Sequence, residues 1–475
     1  MKLEADGEFE FMGEKLTVLQ LYRSIPIEAD TPYLKAKRHI SKQELQLDCS
    51  FVKFKNETYI LLDISDIIYL NEKESLDDII KELEINDDKT LIKLLKIIFY
   101  QVDFQDAKTI HTLQYFLEKS VPPNNIHFKD CTVRFKQDVN LVFQDTHLDN
   151  TIIVLEGHKN EESYGSLQFK NCTFHQKFKI RNEEQNDPYN NKANIKELNF
   201  TNCVFHDNMY FRIGYLEIGD FEIRNLRNPP NSEVNLGELK CTNFTIINFR
   251  NMGKMKLYEI HPRREGETTF NINNTSIGDA DFQSISINDF DKVILYDNLF
   301  HNLVYSNVRW SDKLSDKNEK EISNEKLLDA YRVLKNTAKK NQDTEYALKF
   351  YAKEMECLKD KLVCDPSSSS LDVCTLRYNQ YTNNFGLTWQ RPLVVLAILS
   401  ASLYCCLLLS LALNIHDYGN WKHFWTFLNP THKTEFICKD LWTGWTYFWD
   451  FSFRIIEGLL FYQTITAFRK FSRGL

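Results

Sequence analysis

The chain reads as an α+β multidomain protein: an irregular β-solenoid, then a helical hairpin, then a C-terminal transmembrane helical hairpin. Three observations predict it. A degenerate Phe-x-(Asn/Asp)-Cys-x-(Phe/Val) pattern recurs between residues 126 and 310. From about 318 to 362 it gives way to a charged, glycine-free stretch with helical spacing. Beyond that, Pro392 to Leu413 runs 22 residues without a charge.

Length and composition set the frame. At 475 residues and 56.2 kDa the chain exceeds one ordinary core, since domains average roughly 150 residues. A net charge of -8 and a pI near 5.9 argue against general affinity for nucleic acid or anionic lipid. Glycine is scarce at 15 while Phe reaches 34 and Tyr 22, so the chain packs many rings and has few phosphate-cradling turns. Eleven cysteines are too sparse for a disulfide scaffold, and no CxxC occurs. The first residues, MKLEADGEFEF, carry acids where a signal peptide needs basic and then apolar residues, which predicts that the bulk of the chain stays in a reducing cytoplasm.

Residues 1–125 read as a mixed α/β region. Phe51 to Lys55 and Tyr59 to Leu62 alternate like strands, while Leu91, Leu94, Leu95 and Ile98 carry helical spacing within a stretch from Ser75 to Leu117. Ser75, with Asp77 and Asp78 behind it, is a helix start suited to the positive end of the dipole.

The repeat occupies 126–310. Its clearest copies are Phe128 to Val133 around Cys131, Phe169 to Phe174 around Cys172, and Phe200 to Phe205 around Cys203; Cys241 to Phe244 is a weaker fourth. A narrow coil wants a small residue beside each large one, and Asn or Asp favours the corner between faces. The Cys-to-Cys spacings of 41, 31 and 38 mean interrupted coils, with polar inserts at Glu183 to Asn194 and Asn225 to Asn235. Further faces are read in Phe221 to Ile223, Phe244 to Ile246, Phe270 to Ile272 and Phe282 to Ile285. A single coil cannot bury its own apolar side, so the coils must stack. The cysteines are then small packing residues. With 21 Lys or Arg against 25 Asp or Glu over 126–310, the solenoid is too weakly acidic to mimic DNA.

Residues 311–364 predict a helical hairpin suited to capping the solenoid's open end. One apolar stripe is Leu327, Leu328, Tyr331, Leu334 and Ala338 after the N-cap Ser323; a second is Tyr346, Ala347, Phe350, Tyr351 and Met355, with Asp343 or Thr344 as cap. One long helix is the competing reading. Residues 365–390, opening with Asp365-Pro366 and four serines, read as a linker.

The membrane region is 391–475. The run from Pro392 is a transmembrane helix. Leu441 to Phe468 is a second candidate that carries Asp450, Arg454 and Glu457 at i, i+4 and i+7. That spacing gives one helical face on which Arg454 can pair with both acids, and inside a membrane such a face turns to protein or water. An amphipathic helix lying in the interface, stripe outward, is the alternative. Two spans would return the C-terminus to the side of the N-terminal domains.

Tyr331 to Lys335, Asp343 to Glu354 and the ending Tyr462-Gln463 to Phe468-Arg469-Lys470-Phe471, together with the Cys-Thr-Phe coils, resemble bacterial membrane-associated pentapeptide-repeat proteins. The resemblance covers roughly 126 to 475. It implies a divergent, pentapeptide-like right-handed β-helix in the cytoplasm, tethered to the inner membrane, and it supplies no catalytic residues. Nucleotide, zinc-protease and hydrolase motifs are missing from the sequence, and His416, His423 and His432 lack metal-site spacing. The expectation is therefore a scaffold without catalysis or cofactor that presents its solenoid to a protein partner. The alternative is a homo-oligomeric pore, lined or locked by Asp450, Arg454 and Glu457 and gated by the solenoid.

Overall fold

The computed structural model describes the backbone strands between Glu4 and Phe104, Leu113, Leu117, and the chain from Ile126 to Ser472 apart from 136–139, 156–163, 183–192, 264–265, 315–322, 430 and 438. The proposed helix start at Ser75, residues Leu91 to Leu95 and the insert at 183–192 lie outside the described residues. The chain forms two units, Met1–Lys320 and Glu321–Leu475, each taken by itself below.

In the first unit, Glu4–Phe11 and Glu14–Gln20 form an antiparallel hairpin, and Cys49–Phe54 with Glu57–Leu62 forms a second. The alternation read at Phe51 and Tyr59 is thus strand. Ile98 is strand as well, within Lys96–Tyr100, where helical spacing had pointed to a helix. The apolar run Ile97-Ile98-Phe99-Tyr100 is β-branched and aromatic, and Ile126–Lys129 pairs with it in parallel. The parallel stack therefore reaches upstream of residue 126.

From there the chain winds as a parallel β-solenoid of about seven turns. One corner repeats at Asp145, Asn171, Asn202, Asn225, Asn248, Asn274 and Asp297, each with positive φ. Asn and Asp tolerate the left-handed region better than other side chains, which explains why they hold this column. The side chains also form a ladder: Asn225 Nδ2 donates to Asn202 Oδ1 at 2.8 Å, and Asn248 Nδ2 to Asn225 Oδ1 at 2.7 Å. A second corner column includes Asn150, Gln176, Asn208 and Asn231, and a third Tyr215, Glu238, Glu259, Ser284 and Asn307. Three corners make three faces. Between corners the strands alternate buried and outward residues, as in Thr173–Asn182 and Tyr210–Arg224.

The interior is built of in-register columns. Phe143, Phe169 and Phe200 stack with centroids 4.9 and 4.7 Å apart, close to the strand spacing itself. Phe221, Phe244 and Phe270 stack likewise at 5.1 and 5.2 Å. Ile223, Ile246 and Ile272 continue the first column. The faces read at Phe221, Phe244 and Phe270 are thus equivalent rungs, whereas Phe282 sits on a different strand, opposite Leu257 and Tyr305.

In the second unit, α1 (Asn324–Lys340) and α2 (Thr344–Cys364) form the expected hairpin. Ser323 Oγ accepts from Lys326 N at 3.4 Å and Asp343 Oδ1 from Tyr346 N at 3.1 Å, so both caps match the sequence reading. Gln342, at φ 59°, breaks what would otherwise run on as one helix. Glu354 on α2 is buried against Lys335 at 2.5 Å and Arg332 at 3.2 Å on α1. The segment expected as a linker carries α3 (Ser370–Asn383). The apolar α4 (Gln390–Ser410) is long and apolar enough to cross a membrane. A looped region then leads to α5 (Gly444–Ser472), which packs on α4.

Candidate functional site

All ten repeat residues (Phe128, Cys131, Phe169, Cys172, Phe174, Phe200, Cys203, Phe205, Cys241 and Phe244) are buried in the solenoid. They do not share one position on the coil. Cys172 and Cys203 follow successive corner asparagines, Asn171 and Asn202. Cys131 follows Asp130, whose side chain is bonded by Asn150 of the second corner column. Cys241 lies within a strand, between Ile218 and Pro262 of adjacent coils. Of the three cysteine spacings, only the 31-residue step is a coil repeat. The regular coils advance by 23 residues, as Asn202, Asn225 and Asn248 show. The three clear copies recur because an Asx at positive φ turns the corner and a small residue is buried just after it; later corners of the first column place Leu226 and Phe249 there instead.

The corner thiols Cys172 and Cys203 pack against backbone carbonyls of the preceding coil. Cys172 Sγ lies 3.2 Å from the Phe143 carbonyl oxygen and 3.2 Å from Thr146 Oγ1. The neighbouring Cys172 and burial together push the Cys203 thiol far above the ordinary range, so it stays protonated. Nearby, His127 and His147 stack at 4.3 Å, and His175 and His206 at 3.9 Å. Burial, with His206 and His147 alongside, lowers His175 to about 3.

The second unit holds the cluster that the helical stripe anticipated. Asp450 and Glu457 are buried, at 2% and 0% exposure. Arg454 Nε donates to Asp450 Oδ2 at 3.0 Å. Arg454 was expected to pair with both acids, but its guanidinium reaches only Asp450, because helical side chains lean toward the N-terminus and hence toward i-4. Glu457 has no hydrogen-bond partner among the described residues. The other oxygen of Asp450 meets His432 Nε2 at 2.7 Å, while His432 Nδ1 lies 2.6 Å from the Asn429 carbonyl oxygen. A carbonyl and a carboxylate both only accept, so the imidazole of His432 is held between two acceptors. Sequence spacing missed His432 because it arrives from the loop, 18 residues before Asp450.

The loop that delivers His432 is anchored by rings. Tyr404, Leu407, Leu408, Leu411, Phe427, Ile437 and Phe453 form one buried cluster, and Phe427 stacks on Phe453 at 3.9 Å. Trp421 Nε1 donates to the Ile415 carbonyl at 2.8 Å and Trp442 Nε1 to that of Ile437 at 2.7 Å. In the C-terminal motif, Gln463 bonds Asn383 and donates to Asn379 Oδ1 at 2.9 Å, tying α5 to the end of α3.

The polarity of α5 is inverted. Its acids face protein, whereas Phe448, Phe451, Ile455, Leu459, Tyr462, Ile465 and Phe468 are exposed in a continuous stripe. On α4, Leu393, Val394, Ile398 and Leu409 are exposed as well. Among the described residues no group of three or more His, Cys, Asp or Glu could hold a metal ion. No protein-family model matches the chain, and no curated protein and no solved structure matches it. The class defined by fold and site is a parallel β-solenoid followed by a helical unit with one membrane-length apolar helix.

Proposed function

We propose that the protein is a membrane-anchored cytoplasmic scaffold, without catalytic activity, whose solenoid presents an extended face to a protein partner. The observation that carries the anchor is the inverted polarity of α5 beside the apolar α4: large apolar side chains turn outward and carboxylates inward, which favours lipid over water as the surrounding medium. In this reading α4 and α5 span the bilayer as a hairpin. An interfacial α5 would turn Asp450 and Glu457 to solvent, and they are buried. The likeness of the helical and terminal motifs to bacterial membrane-associated pentapeptide-repeat proteins supports the inner membrane as the location and the solenoid as a divergent member of that type.

A second reading follows from Glu457, whose two oxygens lack partners among the described residues. Several copies could assemble into a pore in which a neighbouring chain or a permeating ion meets that carboxyl. Mass measurement of the full chain in lipid nanodiscs separates the readings. A monomer supports the scaffold, since two helices cannot enclose a pathway. An oligomer whose ion flux in liposomes changes with Arg454→Leu, while assembly is intact, overturns the scaffold.

A further inference from the structure

One face of the solenoid gathers cations in an otherwise acidic chain. On strand Thr173–Asn182, Lys177, Lys179 and Arg181 alternate outward, and the parallel register sets Arg212 of the next coil directly beside Lys179. Residues two apart on a strand lie ~7 Å apart, and neighbouring strands ~4.8 Å apart, so four positive charges share a patch about 13 Å long and one rung wide. None of the four has an ion-pair partner among the described residues. The carboxylates nearest by register are occupied elsewhere: Glu233 accepts from Asn235 Nδ2 at 2.8 Å, and Glu238 bonds Tyr215. The Arg181 Nε is buried without a hydrogen-bond partner among the described residues.

The patch is walled by tyrosines. Lys179 Nζ lies 5.3 Å from the Tyr210 ring centre, and Arg212 Nη2 donates to Tyr258 Oη at 3.3 Å. Tyr258 reaches Arg212 only because the rungs beneath it are glycines: a Cβ on Gly237 would sit 2.2 Å from the ring. Burial and the adjoining Lys177, Arg212 and Arg181 lower the Lys179 ammonium below its ordinary value. Like charges held together in this way repel until an anion joins them.

We propose that Lys177, Lys179, Arg181 and Arg212 form a binding site for a multiply charged phosphate-class anion, either a free diphosphate or an anionic phospholipid headgroup. Guanidinium forks match phosphate oxygens in pairs, lysines add point charge, and the phenol hydroxyls supply further donors. This site is independent of the anchor reading.

The test is amine-reactive footprinting of the full chain, read by mass spectrometry. With the protein in phosphatidylcholine nanodiscs, pyrophosphate should slow labelling of Lys177 and Lys179 several-fold and leave the exposed Lys313 and Lys339, which lie outside this face, unchanged. Protection that appears only when phosphatidylglycerol is included identifies the headgroup as the source. Arg212→Gln should abolish protection and the charge-keeping Arg212→Lys should retain it, which separates lost binding from lost folding. No protection in either arm, equal protection of Lys313 and Lys339, or full protection in Arg212→Gln overturns the proposal.

Discussion

At the scale of single residues, the solenoid is specified by conformation as much as by hydrophobicity. Asn225 has φ 54° and sits mid-ladder, bonded to Asn202 and Asn248. Asn225→Val should destabilise the solenoid by about 1–2 kcal/mol from left-handed strain, with the lost ladder bonds in addition. Asn225→Gly relieves the strain and loses only the bonds, so denaturant unfolding should rank it between wild type and Val. If Val and Gly cost the same, the corner conformation is not what selects Asn. His175 gives a pH dependence. Its folded value, about 3, lies below the ordinary 6.5, so the unfolded chain binds more protons across that interval. Its contribution is fully present above 6.5 and is lost as pH falls toward 3. Thermal melts of His175→Leu should depend less on pH over that window than those of wild type.

At the scale of elements, what the sequence made legible divides by the range of the interaction that decides it. The α1–α2 hairpin and both caps were readable because capping is local, as with Ser323 and Asp343. The Phe221 and Phe244 rungs were readable because uninterrupted coils keep a 23-residue advance; Phe270 follows after 26 residues, still on the same short motif. Cys131 and Cys241 could not be placed, because a corner of another column and a mid-strand position can carry the same short motif, and only the pairing register tells them apart. Lys96–Tyr100 was misread where helical spacing met a short β-branched run whose partner, Ile126–Lys129, is distant in sequence. Asp450, Arg454 and Glu457 share a helix and so announced a face, but His432 joins through tertiary packing alone. Removing the hub of that cluster tests its role: Asp450→Ala leaves His432 and Arg454 facing each other and should destabilise the helical unit by about 3–5 kcal/mol. Replacing His432, Asp450 and Arg454 together with apolar residues should recover much of that loss. A triple variant no more stable than Asp450→Ala would mean that the cluster does more than satisfy its own charges.

At the scale of the whole molecule, the composition averages over two units whose exposed surfaces differ in polarity. The solenoid buries stacked rings inside three faces and, Asp149 apart, keeps its carboxylates toward solvent. In the helical unit α5 does the reverse, and α4 shows apolar side chains on its exposed surface. Fractionation tests that contrast most directly. Full-length protein should remain in the membrane pellet after alkaline extraction, and deletion of Arg391 to Leu475 should move the remainder to the soluble fraction with its β-rich circular dichroism retained. A full-length chain that is extracted as soluble protein, or a truncated chain that stays in the pellet, would contradict the anchor.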